Sequence, residues 1–509
     1  MDRRQFLRNA LLALPPARAA RARPLKLEEL TLSDLGRGYR ERRFTARAVA
    51  EWYLERIESL DKRGPKVNAV IEINPDAMRI ADALDRERLS GYVRGPLHGI
   101  PVLIKDNFDT GDRMSTTSGS LALVNRATVR DAAVVQALRA SGALLLGKTN
   151  LSEWAGFRST SSISGWSGRG GLTHNPYALD RSASGSSSGS AAAVSSNFCA
   201  VGVGTESDGS VTAPASVNGI VGIKPTVGLL SRSGMIPISR SQDTAGPMAR
   251  TVRDTAILLS AMTGKLGLDY VKYLDWRGLR GMRLGVERNY FGANAATNRL
   301  LENCLAEMKR QGAQLVDPAN LPSHGGYDED ELEVFLYEFK AGLNAYLAGR
   351  PGAGVRSLAD VIAFNSQRRG EEMPYFQQDL FERAQAKGPL TDKAYLKARA
   401  RCVKLSRAEG IDAVIEKYKL DAIVAPTAGP ATHHRAIPGQ SDWPVCTKPA
   451  AVAGYPHITV PAGLVNGLPV GISFFGPAWS EPVMFQLAYA FEQATMARQP
   501  PTFAVSMAI

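Results

Sequence analysis

Fifteen of the thirty residues from Arg181 to Ser210 are Gly or Ser. That composition ordinarily makes a solvated, flexible linker. The same stretch also carries Ala191-Ala-Ala-Val194 and Val201-Gly-Val203, apolar runs for which a linker has no use. One arrangement satisfies both: a buried path on which small residues let main chain lie against main chain. Burying such a segment demands a large core, and 509 residues can build one. Hydrophobic residues make up 44% and charged residues 22%, the balance of an ordinary globular protein rather than a disordered one. No period-three glycine and no long heptad run appears, which excludes collagen and coiled coil. No apolar stretch reaches the roughly 18 to 20 residues of a membrane helix.

The flanking pattern alternates helix and strand. Apolar residues recur at helical spacing between Leu27 and Asp61, and Ala77 to Leu89 reads as a helix after the turn Asn74-Pro-Asp76. Gly99-Ile-Pro-Val-Leu-Ile104 is a short apolar run suited to a buried strand. Asp131 to Ser141 is an amphipathic helix ended by Gly142, with the next strand over Ala143 to Leu146. Met282 to Asp317 reads strand, helix, strand, with Ala296 to Gln311 as the helix. Glu331 to Leu347 is a further helix, and Ala422 to Ala425 and Ile458 to Pro461 are late strands. Arg350 to Leu390 is charged and irregular, a surface region beside the pocket. The alternation predicts an α/β fold with a mixed central β-sheet surrounded by α-helices.

The 61 basic and 49 acidic residues give a net charge of +12. No basic stripe interleaved with aromatics accompanies it, so a basic surface without nucleic-acid binding is the expectation. Cys199, Cys304, Cys402 and Cys446 lie far apart and form no CxxC pair, which speaks against both a zinc site and a disulfide framework. At the N-terminus, Arg3-Arg4-Gln-Phe-Leu-Arg8 resembles a twin-arginine export signal, with Ala20-Arg-Ala22 as a small-residue cleavage site. Its apolar region, Asn9 to Leu14, is short. Residues 1–22 are therefore read as an export leader leading to the periplasm or outside, and a frayed basic terminus is the alternative.

Serine needs an activating base before it can attack a carbonyl, and three arrangements compete for that role. Gly185-Ser-Ser187-Ser-Gly189 matches G-x-S-x-G formally, but turn residues precede it where a strand is required, and none of the six histidines stands in a partner motif. Gly189-Ser-Ala191 and Gly202-Val-Gly204 suggest a phosphate loop, yet the Gly-Lys-Ser/Thr ending is missing. Lys105 ends an apolar strand, where desolvation would lower its pKa and leave a neutral amine to act as a base. Taken alone, Lys105 is more simply read as paired with Asp106 or reaching the surface.

Three ordered segments resolve the choice by resemblance. They are Gly99-Ile-Pro-Val-Leu-Ile-Lys105-Asp-Asn107, Gly185-Ser-Ser-Ser-Gly-Ser190 and Gly204-Thr-Glu-Ser-Asp-Gly-Ser210, followed by Gly219-Ile-Val-Gly-Ile-Lys-Pro-Thr226 and Asp243-Thr-Ala-Gly-Pro-Met-Ala-Arg250. Together they resemble the amidase signature family, most strongly over residues 95–264, within a domain read as 27–505. Gly165-Trp-Ser-Gly-Arg-Gly-Gly171, Asn175-Pro-Tyr177 and Ser239 to Thr244 are similar to its peptide-amidase members. The resemblance implies a Ser-cisSer-Lys triad with Ser210 as nucleophile, Ser186 as proton relay and Lys105 as general base. It further implies an oxyanion hole made by the backbone N–H groups of Ser207, Asp208, Gly209 and Ser210. No cofactor and no metal is implied.

The expected reaction is hydrolysis of a carboxamide through an acyl-enzyme, with a peptide C-terminal amide as a candidate substrate. The alternative is the glutamine-hydrolysing amidase component of a tRNA-dependent amidotransferase, and a third reading is a catalytically silent binding protein on the same scaffold. Departures from the common family pattern are Glu206 in place of aspartate, Asp208 and Ser188 in place of glycine, and Thr212 in place of arginine. Asp208 either faces the substrate or caps a turn. The pocket walls fall in the weakly patterned 320–450 region, so acyl and amine preference are not read here, nor is the oligomeric state.

Overall fold

A lysine closes a strand that is otherwise apolar and buried throughout, Pro101–Lys105. In the computed structural model this strand runs parallel to Leu144–Thr149 on one side and to Val201–Glu206 on the other. The structure describes residues 25–125, 128–265, 267–350, 352, 354–434 and 444–507. The leader read over residues 1–22 lies outside them.

Among the described residues one sheet holds eleven strands. From edge to edge they are Val70–Ile73, Leu144–Thr149, Pro101–Lys105, Val201–Glu206, Thr244–Ala249, Val221–Lys224, His457–Val465, Leu468–Phe475, Ala422–Ala428, Arg283–Val286 and Gln314–Val316. The sheet is mixed: Thr244–Ala249 runs antiparallel to both its neighbours, whereas Arg283–Val286 pairs in parallel with both of its own. Helices Ser188–Ser195, Val252–Met262, Ala295–Arg310 and Glu481–Thr495 cover the central strands. The fold is the expected α/β arrangement, and among the described residues no helix is long and apolar enough to cross a membrane.

The Gly/Ser-rich segment is buried, not solvated. Every residue of helix Ser188–Ser195 is buried, as is every residue of the strand Val201–Glu206 that follows. The reason for the small residues is visible at Gly189, where a Cβ would stand 2.3 Å from the Ala69 carbonyl and 2.4 Å from that of Asn150. All four cysteines are free and buried, small apolar groups in the core.

Helix Ala77–Leu89 forms over the residues read for it, and Ala133–Ala140, Ala295–Arg310 and Asp328–Ala348 lie within a few residues of theirs. The 350–390 region differs from its expected irregularity. It folds into three short helices, Leu358–Gln367, Arg369–Glu372 and Asp379–Gln385, and drives Phe381 and Glu372 out of contact with water. Its apolar residues are shared among helices too short to show a periodic face, which hides the pattern from a sequence reading.

Candidate active site

Three elements converge on one small cavity. Lys105 is carried by the end of its central strand. Ser186 follows a cis peptide bond from Gly185. Ser210 stands on the turn that links strand Val201–Glu206 to helix Thr212–Val217. Ser186 and Ser210 line the cavity together with Thr205, Ser207, Asn107 and Asp243. Ala155, Met235, Ile236 and Ile238 supply its apolar wall.

Lys105 is wholly buried, and its Nζ donates to Ser186 Oγ at 2.8 Å and to Thr205 Oγ1 at 3.0 Å. Asn107 Nδ2 donates to the same Thr205 hydroxyl at 2.9 Å, fixing its orientation. No carboxylate forms an ion pair with this amine among the described residues. Desolvation therefore dominates and brings the Lys105 pKa down to about 7, opposed by the more distant charges of Asp243 and Glu206. Asp106, the competing partner, is occupied elsewhere. It accepts from Thr117 Oγ1 and lies 3.3 Å from Arg169.

Asp243 sits just before the strand Thr244–Ala249. Burial pushes its carboxyl up to about 6, while the Ser207 hydroxyl and the N–H groups of Ile238 and Ser239 stabilise the anion. Near neutral pH Asp243 is largely ionised, but it is bonded elsewhere and its charge only partly offsets the desolvation that favours the neutral Lys105 amine.

Glu206 explains the turn that follows it. Its carboxylate accepts from the N–H groups of Val211 at 2.7 Å and Thr212 at 2.9 Å, the two donors at the start of helix Thr212–Val217. The N–H groups of Ser207, Asp208, Gly209 and Ser210, just upstream, donate to no protein acceptor among the described residues. Gly209 takes φ +76°, and a Cβ there would lie 2.9 Å from Thr447 Oγ1. The Ser210 carbonyl accepts from Ser187 N–H at 3.1 Å, tying the two serine-bearing turns together. Ser187 itself turns away. It is fully buried, and its hydroxyl donates to the Thr205 carbonyl at 3.1 Å, so the formal G-x-S-x-G serine does not reach the cavity.

Asp208 does not line the cavity, and its carboxylate accepts from Thr447 Oγ1 at 2.7 Å. Nearby, Gln242 bridges the Ser207 carbonyl at 3.1 Å and Glu331 at 2.8 Å, and Lys448 pairs with Glu331 at 3.1 Å. Thr205, Asp243 and the wall residues went unnoticed as site residues in the sequence. Asp243 had one available signal, a lone carboxylate at the mouth of an apolar strand. Thr205 had none, because a threonine in a buried strand is ordinary.

Comparison with known proteins gives the family. The amidase family profile matches residues 48–484, most of the chain. The chain belongs to the amidase family. A probable amidase of Arabidopsis thaliana is 43% identical over 499 residues, covering 94% of this amidase and 92% of the plant protein. The crystal structure of native peptide amidase from Stenotrophomonas maltophilia is similar at 48% identity and a TM-score of 0.89, covering 94% of this amidase and 99% of that chain. A glutamyl-tRNA(Gln) amidotransferase component of Acinetobacter baumannii is more distant, at 33% identity over 92% of this amidase and 96% of the bacterial protein. Hydrolysis of an amide C–N bond is the activity these likenesses support.

Proposed function

We propose that this amidase cleaves peptide C-terminal amides through an acyl-enzyme formed on Ser210. The observation that carries the reading is the 2.8 Å contact from the buried Lys105 amine to Ser186, inside a cavity that Ser210 also lines. In the free enzyme the neutral Lys105 amine accepts the Ser186 proton as Ser186 takes that of Ser210. The Ser210 oxygen bonds to the amide carbon, and the carbonyl oxygen becomes an oxyanion held by the free N–H groups of residues 207–210. The lysine proton returns through Ser186 to the leaving nitrogen as the C–N bond breaks, releasing ammonia. Water then attacks the ester along the same proton path, restoring the Ser210 hydroxyl and releasing the acid. Loss of a single oxyanion donor typically costs about 3 kcal/mol of transition-state stabilisation. The 48% identity to a peptide amidase supports the substrate class.

Purified Ser210→Ala and Lys105→Ala variants, assayed for ammonia release from amidated peptides, are expected to lose at least about a thousandfold in kcat. Turnover of either at the parental rate would overturn the triad. A fluorophosphonate should label Ser210 and no other serine, as read by peptide mass spectrometry. Activity of the isolated chain, without ATP or partner proteins, separates this reading from that of an amidotransferase component. The twin-arginine resemblance of residues 1–22 supports export, tested by N-terminal sequencing of the protein recovered from the periplasm.

A further inference from the structure

Beside the catalytic cavity lies a second, wider cleft that the reaction above does not use. Strand Val221–Lys224 leads into one side of it at Thr226, and the segment between Ile238 and Asp243, which walls the cavity, sends Arg240 and Ser241 into it. Four guanidinium groups line the cleft, those of Arg232, Arg240, Arg399 and Arg407. They come from two separate parts of the chain, the loop after strand Val221–Lys224 and the helix Lys393–Ser406 with its C-terminal end. No acidic side chain is among the lining residues, and none of the four forms an ion pair among the described residues. Elsewhere Arg158, Arg169, Arg288 and Arg498 each meet a carboxylate. Arg399 and Arg407 are themselves half-buried.

The carboxylate of Glu338, bonded to the cleft residues Ser241 and Tyr395, pairs with none of the four arginines. It accepts from the hydroxyls of Ser239, Ser241 and Tyr395 and from the Ser241 N–H. These bonds pin the Ser239–Ser241 segment; Asp412, which accepts from Tyr455, and Asp243, which feels the charge of Arg232, likewise form no ion pair with the four arginines. Aromatic walls complete the cleft: Tyr395, Tyr455 with Arg407 stacked 5.3 Å from its ring, and Trp479, which is 60% exposed. Converging guanidinium groups without counter-charge raise the local positive potential and favour an anion that can accept forked hydrogen bonds.

We propose that this cleft is a substrate subsite for carboxylate side chains, so that the enzyme prefers peptide amides carrying Asp or Glu upstream of the amidated residue. The proposal rests on the peptide-amide reading above. The Ile238–Asp243 segment borders both spaces, so an extended peptide whose carboxamide enters the cavity can lay its upstream residues over that segment into the cleft. The bound carboxylate takes bidentate hydrogen bonds from Arg240 and Arg399, and the neighbouring peptide surface lies on Trp479.

The test compares matched peptide amides that differ only in Glu, Gln or Lys upstream of the amidated residue. The parent enzyme should favour Glu over Gln by roughly fivefold or more in kcat/KM, chiefly through KM, and Lys should be the poorest. The preference should shrink as salt is raised. In the Arg240→Gln/Arg399→Gln double variant the Glu-to-Gln ratio should fall towards one. Arg401→Gln, on the same helix as Arg399 but paired with Asp330, should leave the ratio as it was. Equal rates for Glu and Gln peptides in the parent, or a ratio that survives the double variant, would overturn the subsite. If no peptide amide is turned over at all, the peptide-amide reading fails, and the subsite is then decided by binding. A Glu-containing peptide acid should perturb Trp479 fluorescence in the parent at lower concentration than in the double variant, and equal titrations would sink it.

Discussion

At Lys105 a single side chain sets both the chemistry and a cost to the fold. Its pKa in the folded protein is about 7, against 10.5 in a solvated chain. Between those values the unfolded chain holds a proton the folded one has given up, so this group's contribution to stability rises with pH across the window, and below about pH 7 its destabilising cost is fully present. Two outcomes follow. The kcat/KM for a neutral amide should climb through a pKa near 7 and level off above it, with the acid side losing about tenfold in rate per pH unit, as read by steady-state kinetics. Lys105→Met should be inactive yet no less stable than the parent at pH 7 in denaturant unfolding, because it removes a buried amine whose hydrogen bonds only partly offset its desolvation. A Met variant that unfolds at clearly lower denaturant would show that those bonds dominate. Thr205→Val probes the same amine from its other partner. Loss of the Thr205 hydroxyl strips an acceptor from both Lys105 and Asn107 and should lower kcat by about tenfold, roughly the worth of one buried hydrogen bond.

Helix Ser188–Ser195 depends on backbone proximity more than on side-chain packing. Gly189→Ala would press a methyl group to within 2.6 Å of three backbone atoms of Ala69 and Asn150. Overpacking of that kind costs about 1–3 kcal/mol, so thermal unfolding should come several degrees earlier. The same segment shows what a sequence can and cannot disclose. Its apolar runs Ala191–Val194 and Val201–Val203 contradict a linker, so its burial was legible. The bond from Ser187 N–H to the Ser210 carbonyl was not, because it depends on two turns meeting in space, and neither turn carries a period. Strand Pro101–Lys105 and helix Ala77–Leu89 were legible because each presents its own regular pattern. The Lys105, Ser186 and Ser210 positions were found through resemblance, since Lys105 taken alone is more simply read as a partner of Asp106 or a surface lysine. The cavity wall at Ala155, Ile236 and Ile238 and the burial of the 369–385 helices escaped, as both arise from contacts between segments far apart in the chain.

Across the whole molecule, charge is managed very differently in two places. Arg158 is buried with no exposure, between Glu153 and Glu372, and ties the loop after strand Leu144–Thr149 to helix Arg369–Glu372. Burial and the second carboxylate push Glu153 well above the usual carboxylate range, so the trio is held together by the one guanidinium. Arg158→Gln leaves two buried acids facing each other and should destabilise by about 3–5 kcal/mol, measured by chemical denaturation. The arginine cleft, in contrast, keeps its charge uncancelled at the surface. The turn at residues 207–210 obeys another logic again. Its unspent donors belong to the main chain, so no exchange of one side chain for another, short of a proline that would also lock φ, can delete them one at a time. Evolution can repaint the surroundings of this turn without touching those dipoles, and an experimenter who wishes to remove one without constraining the chain must swap an amide for an ester.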